Sequence, residues 1–233
     1  SGENFVLDGK PFVIRSGEMH YSRISRVYWP DRMKKAKAMG LNTITTYIFW
    51  NLHEPKREQF DFEGNLDVVE FVRIAKAQGL YVIVRPGPYV CTEWDLGGIP
   101  AWLLADPELR VRTSDRRFLE ASRKYLAEVG KRLAPLEIGK GGNIIMVQVE
   151  NEYGSFGEDK VYLHAVKKMI QDAGFDGQLF TADGSRDYML RNGTVPGVLA
   201  VINFGVDDAP GIAGVAKEFE NLARFRQNVP RMT

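Results

Sequence analysis

Short apolar runs, rich in β-branched and aromatic residues, alternate with amphipathic stretches along the whole chain. The runs fall at 11–14, 42–49, 80–84, 143–149, 178–181 and 198–203, and most are apolar at nearly every position. That pattern predicts strands buried on both faces, as in a parallel sheet, because a strand with one wet face alternates instead. Between the runs, apolar residues return at helical spacing. Trp29-Pro30-Asp31 opens one such stretch with proline in the first turn, and Met33, Ala36 and Met39 continue its face. Val68, Val72 and Ala75 mark a second over 66–78, and longer helices are predicted over 115–133, 159–172 and 214–227.

Three local echoes fix the order of the elements. Met39-Gly40-Leu41, Gln78-Gly79-Leu80 and Ala173-Gly174-Phe175 each read as a helix end, a glycine able to take the left-handed C′ conformation, and the start of an apolar strand. Repeated αβ units imply an α/β protein with a parallel sheet. No Gly-rich phosphate fingerprint follows the first run, where SGEMHYSR stands, so a β/α barrel is preferred over an open doubly wound sheet. The widest interval between strand starts, from about 80 to about 143, contains a long segment over 86–114 with two tryptophans. Loops of that length are commonly functional.

In a β/α barrel, chemistry sits at the C-terminal strand ends. The polar residues there are Glu18, His20, Tyr21 and Arg23; Tyr47, Trp50, Asn51, His53 and Glu54; Arg85, Tyr89, Cys91, Glu93, Trp94 and Asp95; Glu150, Asn151, Glu152 and Tyr153; then Asp183 and Asn203. Carboxylates, amides and aromatic rings converging on one rim suit a sugar, whose hydroxyls take bidentate hydrogen bonds and whose C–H faces take rings. Strand alternation predicts that Glu150 and Glu152 point one way and Asn151 the other. The alternative for the two glutamates is an exposed pair stabilised at a helix N-terminus. His20 and His53 could ligate a metal with Glu18 or Glu54, but no H-E-x-x-H spacing supports it and no metal or cofactor is expected. Trp50, Trp94 and Trp102 are open between core and sugar platform. Arg23, Arg26, Arg32, Lys34, Lys35 and Lys37 read as a solvated helix face.

Composition narrows the classes. With 31 Lys+Arg against 30 Asp+Glu, the formal charge of +1 supplies no general attraction to nucleic acid or an anionic membrane. One cysteine, Cys91, excludes an intrachain disulfide and a Cys-rich zinc site. No apolar run reaches the ~18 residues of a membrane span, and no signal-peptide pattern is visible.

TTYIFWNLHEP (45–55), RPGPYVCTEWDLGGIPAWLL (85–104) and VQVENEYGSFG (147–157) closely resemble the signature blocks of the glycoside hydrolase family 35 β-galactosidases. SGEMHYSR, TADGS and VINFG resemble that family too, in the family's order, from about Phe5 to the last residue. The resemblance implies a TIM (β/α)8 barrel and a retaining exo-hydrolase that removes terminal β-linked galactose from an oligosaccharide or glycoconjugate. It implies Glu152 as acid/base and Asn151 as partner of the sugar 2-hydroxyl. Tyr47, Cys91, Thr92 and Glu93 are implied as substrate-binding residues, with Glu93 not catalytic and Thr92 standing where relatives often carry alanine. Retention needs a second carboxylate, which the family places at the end of the seventh strand. Residues 229–233 look like the start of that strand. The chain is therefore expected to be one barrel domain over 1–233, cut short before the end of strand seven, lacking the nucleophile and inactive or nearly so by itself. A galactoside-binding protein without activity, and a family 35 hydrolase of another β-glycoside such as a glucosaminide, are the alternatives. An extracellular or periplasmic location is favoured by the resemblance alone.

Overall fold

A computed structural model describes residues 4–205, 211–227 and 229–233. Six parallel strands form one curled sheet in chain order: β3 (Ser16–Glu18), β4 (Thr43–Tyr47), β5 (Tyr81–Arg85), β6 (Ile144–Gln148), β7 (Gln178–Gly184) and β8 (Leu199–Asn203). Together with their helices they make an incomplete TIM barrel, as the alternation predicts. Before them, β1 (Val6–Leu7) and β2 (Lys10–Pro11) form a small antiparallel hairpin.

The hairpin corrects one expectation. Residues 11–14 do not form the first barrel strand, which begins at Ser16. Asp8 and Gly9 both have positive φ, 50° and 76°, and the pairs Val6↔Pro11 and Leu7↔Lys10 flank them. An Asp-Gly pair is the favoured two-residue hairpin turn, and here it claims Lys10 and Pro11.

The main helices are α1 (Trp29–Ala38), α3 (Val68–Ala77), α5 (Arg116–Leu133), α7 (Lys160–Asp172), α8 (Asp187–Gly193) and α9 (Gly211–Phe225); short turns α2 (Trp50–His53), α4 (Ala101–Leu104) and α6 (Tyr153–Phe156) follow strand ends. Three of the main helices carry an aspartate at the N-cap. Asp67, Asp115 and Asp159 accept hydrogen bonds from the backbone N–H of Glu70, Arg117 and Tyr162, each replacing a bond that the helix itself cannot make. Between sheet and helices lies the larger core, including Trp29, Phe71, Phe118, Tyr125 and Tyr162, all fully buried. Trp50 belongs to it, stacked on Tyr125 with ring centroids 4.8 Å apart, so it is core and not a platform.

A second core fills the inside of the curl, where Ile83, Met146, Phe180 and Val201 meet. Residues two further along the same strands are Arg85, Gln148, Ala182 and Asn203. On β5, β6 and β8 the interior therefore changes from apolar floor to polar rim within one period of the strand, while on β7 it stays apolar at Ala182. A β-bulge between β5 and β6 adjusts this layer. Val82 pairs with Ile144 but Ile83 pairs with Met146, and the extra residue brings Gln148 opposite Arg85, which donates to it from Nε. On the far edge, Ile202 N donates to the Met232 carbonyl at 3.2 Å, so the end of the chain runs beside β8.

Helices α5 and α7 touch through Gly130. A Cβ there would lie 2.2 Å from the Ala173 carbonyl oxygen and 2.5 Å from its Cβ. Gly130→Ala should lower stability by about 1–3 kcal/mol, against the ~1 kcal/mol that alanine gains elsewhere in a helix. Urea unfolding with an unchanged slope and a lower midpoint is the expected result; a higher midpoint contradicts the close approach.

Candidate active site

The rim is built around a sharp exit from β6. After Gln148 the chain stays tied to β7, with Val149 N on the Phe180 carbonyl at 2.8 Å and Glu152 N on that of Ala182 at 2.9 Å. Between these bonds Glu150 and Glu152 adopt left-handed backbone, φ 59° and 49°. Strand alternation consequently ends at Gln148, and the two glutamates do not share a direction. Glu150 turns under the rim, 1% exposed. Its Oε1 accepts from Arg112 Nε at 3.0 Å and Tyr162 Oη at 3.0 Å; its Oε2 accepts from Arg112 Nη2 at 2.8 Å and from Asn151 N at 2.7 Å. Glu152 is half-buried and accepts at Oε1 from Asn203 Nδ2, 2.9 Å away. The pair is thus not an exposed helix-start pair either.

Asn151 faces the barrel mouth. Its Oδ1 accepts from Arg85 Nη2 at 2.9 Å and Gln148 Nε2 at 3.1 Å. Arg85 is the hub of this layer: its guanidinium lies 4.2 Å from the Tyr47 ring centroid and reaches Glu18 Oε2 at 3.3 Å. Burial raises the pKa of the Tyr47 phenol, Arg85 opposes that, and Glu18, Glu152 and Cys91 reinforce it. Tyr47, Asn151 and Glu152 are therefore brought together on one rim.

Glu18 continues the network outward, accepting from His20 Nε2 at 2.7 Å, while Arg23 Nη1 donates to His20 Nδ1 at 2.9 Å. Arg23 also donates to the Thr92 carbonyl at 2.7 Å and covers the Trp94 ring at 5.0 Å. It is a clasp on the loop and not part of a solvated helix face. The clasped loop is strained: Cys91, Thr92 and Glu93 have consecutive positive φ of 60°, 58° and 46°, conformations that cost non-glycine residues about 1–2 kcal/mol each. Cys91 is partly exposed beside Tyr89, Thr92 is buried, and Glu93 presents an exposed carboxylate. The Thr92 hydroxyl is buried and makes no hydrogen bond.

The other candidate histidine is committed elsewhere. His53 is fully buried, its Nε2 on Tyr21 Oη at 2.5 Å and its Nδ1 on the Asp61 carbonyl at 2.7 Å. Glu54 accepts from Trp50 Nε1 at 2.6 Å and from Glu58 N at 2.7 Å. Among the described residues no group of three or more His, Cys, Asp and Glu could hold a metal ion. Two contributors carry no local sequence signal: Arg112, in the long segment over 86–114, and Tyr162, in the middle of α7. Asp183, at the end of β7, is 1% exposed and accepts from Gly154 N at 2.7 Å. Burial pushes its carboxyl up to about 7, with the charges of Glu150 and Glu152 adding to the effect.

The family model of glycosyl hydrolases family 35 matches residues 4–233. A β-galactosidase of Xanthomonas manihotis is 54% identical over 232 residues, covering 99% of this chain and 38% of the relative. The Homo sapiens β-galactosidase-1-like protein 2 is 52% identical over 202 residues, covering 87% of this chain and 31% of the relative. The chain thus spans about a third of the length of these curated relatives. Among solved structures, an exo-β-1,4-mannosidase from Opitutaceae bacterium strain TAV5 superposes with a TM-score of 0.74 at 15% identity, covering 98% of this chain and 47% of that one. At that identity the likeness is one of fold.

Two stability effects follow from the site. Thr92→Ala removes an unsatisfied hydroxyl and a β-branched residue from left-handed backbone, so it should stabilise by about 1 kcal/mol, read as a rise of about 2–4 °C in thermal midpoint. A fall would mean that the hydroxyl has a partner. The second effect concerns pH. Asp183 keeps its proton to about 7 when folded but loses it near 3.8 when unfolded, so stability falls as pH rises through that window. Burial lowers His53 from 6.5 to about 4; there the unfolded state binds the extra proton and stability rises with pH. Asp183→Asn removes the falling contribution and keeps an acceptor for Gly154 N. Its unfolding midpoint should climb more steeply with pH than that of the parent between about 4 and about 7; parallel curves would show that Asp183 is ionised throughout.

Proposed function

The chain belongs to glycosyl hydrolases family 35, and on that premise we propose that the protein containing it is a retaining exo-β-galactosidase with Glu152 as its general acid/base. The observation that carries the proposal is the turn that projects Asn151 and Glu152 onto a rim already holding Tyr47, Arg85 and Glu18. Glycosidases flank the scissile bond with two carboxyl groups, and in the retaining class these stand about 5–5.5 Å apart. Asn203 Nδ2 donates to Glu152 Oε1, which leaves Oε2 for the proton. In the first step Glu152 gives that proton to the glycosidic oxygen while a carboxylate attacks C1, the leaving alcohol departs and a covalent glycosyl ester forms. In the second, Glu152 takes a proton from water, which attacks C1 and frees the carboxylate.

Asn151, presented at the same rim, is the partner for the sugar 2-hydroxyl. Tyr47 and the loop of Cys91, Thr92 and Glu93 form the opposite wall, with Glu93 binding hydroxyls. The nucleophile is a residue other than the carboxylates engaged here: Glu150 is enclosed by Arg112 and Tyr162, and Glu18, though exposed, is held by His20 and Arg85. We infer that it follows Thr233. The Met232 carbonyl accepts from Ile202, one residue below Asn203, so about two further residues at 3.3 Å each would reach the rim. The domain boundary then falls beyond these residues, and the 233-residue chain by itself should not turn over substrate.

In the full-length enzyme, Glu152→Ala should lower kcat on β-galactosides with poor leaving groups by about 10²–10⁴-fold. With an activated aryl β-galactoside the ester still forms, and azide should restore turnover and yield the β-galactosyl azide. The α-azide would overturn retention; full activity without azide would overturn the role of Glu152.

A further inference from the structure

Arg112 lies in the long segment over 86–114 that the sequence singles out, yet it is only 5% exposed and takes left-handed backbone, φ 56°. The segment is fixed on both sides of its guanidinium. Tyr153 Oη donates to the Arg112 carbonyl at 3.1 Å, and Ser114 N donates to Asp159 at the start of α7, 2.7 Å away. From this mount Nε and Nη2 fork onto the two oxygens of Glu150, and Nη2 also reaches the Asn151 carbonyl at 2.7 Å. The flat cation lies 3.8 Å from the Tyr89 ring centroid and 4.1 Å from that of Phe156. Tyr89 is two residues before Cys91, and Phe156 is four after Glu152. One buried guanidinium therefore touches both walls of the sugar site.

We propose that Arg112 is a positioning residue for the reaction: by gripping Glu150 and the Asn151 carbonyl it fixes the turn that aims Asn151 and Glu152, and by lying against Tyr89 it holds the Cys91–Glu93 loop in register with that turn. The proposal rests on Glu152 being the acid/base. Arg112 touches no reacting atom. A planar fork is needed for the grip, because two donors must meet two oxygens at fixed spacing while the faces stack on rings, and an ammonium group does neither.

A purely structural ion pair makes a different prediction, so the test separates stability from aim. In the full-length enzyme, Arg112→Met leaves the Glu150 carboxylate buried without its cation and should lose both thermal midpoint and activity. Arg112→Met combined with Glu150→Gln removes the stranded charge; the midpoint should recover while kcat stays at least tenfold down. The deficit should grow as the leaving-group alcohol becomes less acidic, which reports a misaimed proton donor. Recovery of kcat along with the midpoint would overturn the proposal. Arg112→Lys keeps the charge and guards against a double variant that fails to fold: it should remain at least tenfold down on poor leaving groups, and parental activity would equally overturn the proposal. The azide experiment on Glu152→Ala is independent of these variants, so failure of the acid/base assignment would appear there and failure of the positioning role here.

Discussion

While a barrel strand stays extended its side chains alternate between its two faces, so Asn151 and Glu152 cannot both face the mouth without a break in the strand. The backbone between Gln148 and Tyr153 resolves that conflict by turning twice through left-handed conformation, at Glu150 and Glu152. Each turn costs about 1–2 kcal/mol for a residue with a Cβ. What holds the turn is a closed set of hydrogen bonds. Glu150 accepts four, from Arg112 twice, Tyr162 and the next peptide N–H, while β7 takes the flanking N–H groups of Val149 and Glu152. A buried ion pair is a poor source of net stability, because desolvating both charges offsets most of their attraction. Its value here is geometric: the four hydrogen bonds on Glu150 tie the turn to Arg112 and to Tyr162 of α7.

The same solution recurs across the mouth. The loop of Cys91, Thr92 and Glu93 is also left-handed at three successive residues, and also held by an arginine, Arg23, on its carbonyls. Beneath it Gly97 fits against the Tyr89 ring, where a Cβ would come within 2.0 Å of a ring carbon; no larger residue fits there. Five of the nine left-handed non-glycine residues among those described thus fall in these two rim segments, and both stand on regular scaffold. The strands β4, β5 and β6 and the interior core of Ile83, Met146, Phe180 and Val201 below them contain no residue with positive φ.

That division explains what could be read from the sequence. Apolar runs, helix N-caps and glycine helix ends obey local rules, so β4 to β8 and the five longest helices fall within a few residues of their expected places. The first strand was displaced by a hairpin whose Asp8-Gly9 signal is local too, but short enough to be overlooked beside an apolar run. Site residues at strand ends, such as Arg85 and Asn203, were legible because barrel topology sends every strand end to one rim. The orientation of Glu150 was not. Alternation applies only while the backbone stays extended, and the turn at Glu150 is tied to Arg112, 38 positions earlier, through a contact that no periodicity announces. Arg23 misled for the converse reason: basic neighbours resemble a wet helix face until a carbonyl 69 residues away claims one of them.

The rim also sorts its carboxyl groups by the partner each receives. Glu18 meets Arg85 and His20; Glu150 meets a bidentate guanidinium; Asp183 meets a peptide N–H in a dry site that favours the protonated form to about pH 7. Glu152, by contrast, accepts from the neutral side-chain amide of Asn203 and stays partly open to the mouth. A group proposed to give a proton and later take one back needs access to the mouth, which Glu150 and Asp183, each 1% exposed, lack. Under the acid/base proposal for Glu152, its neutral partner and partial exposure set it apart from Glu18, Glu150 and Asp183.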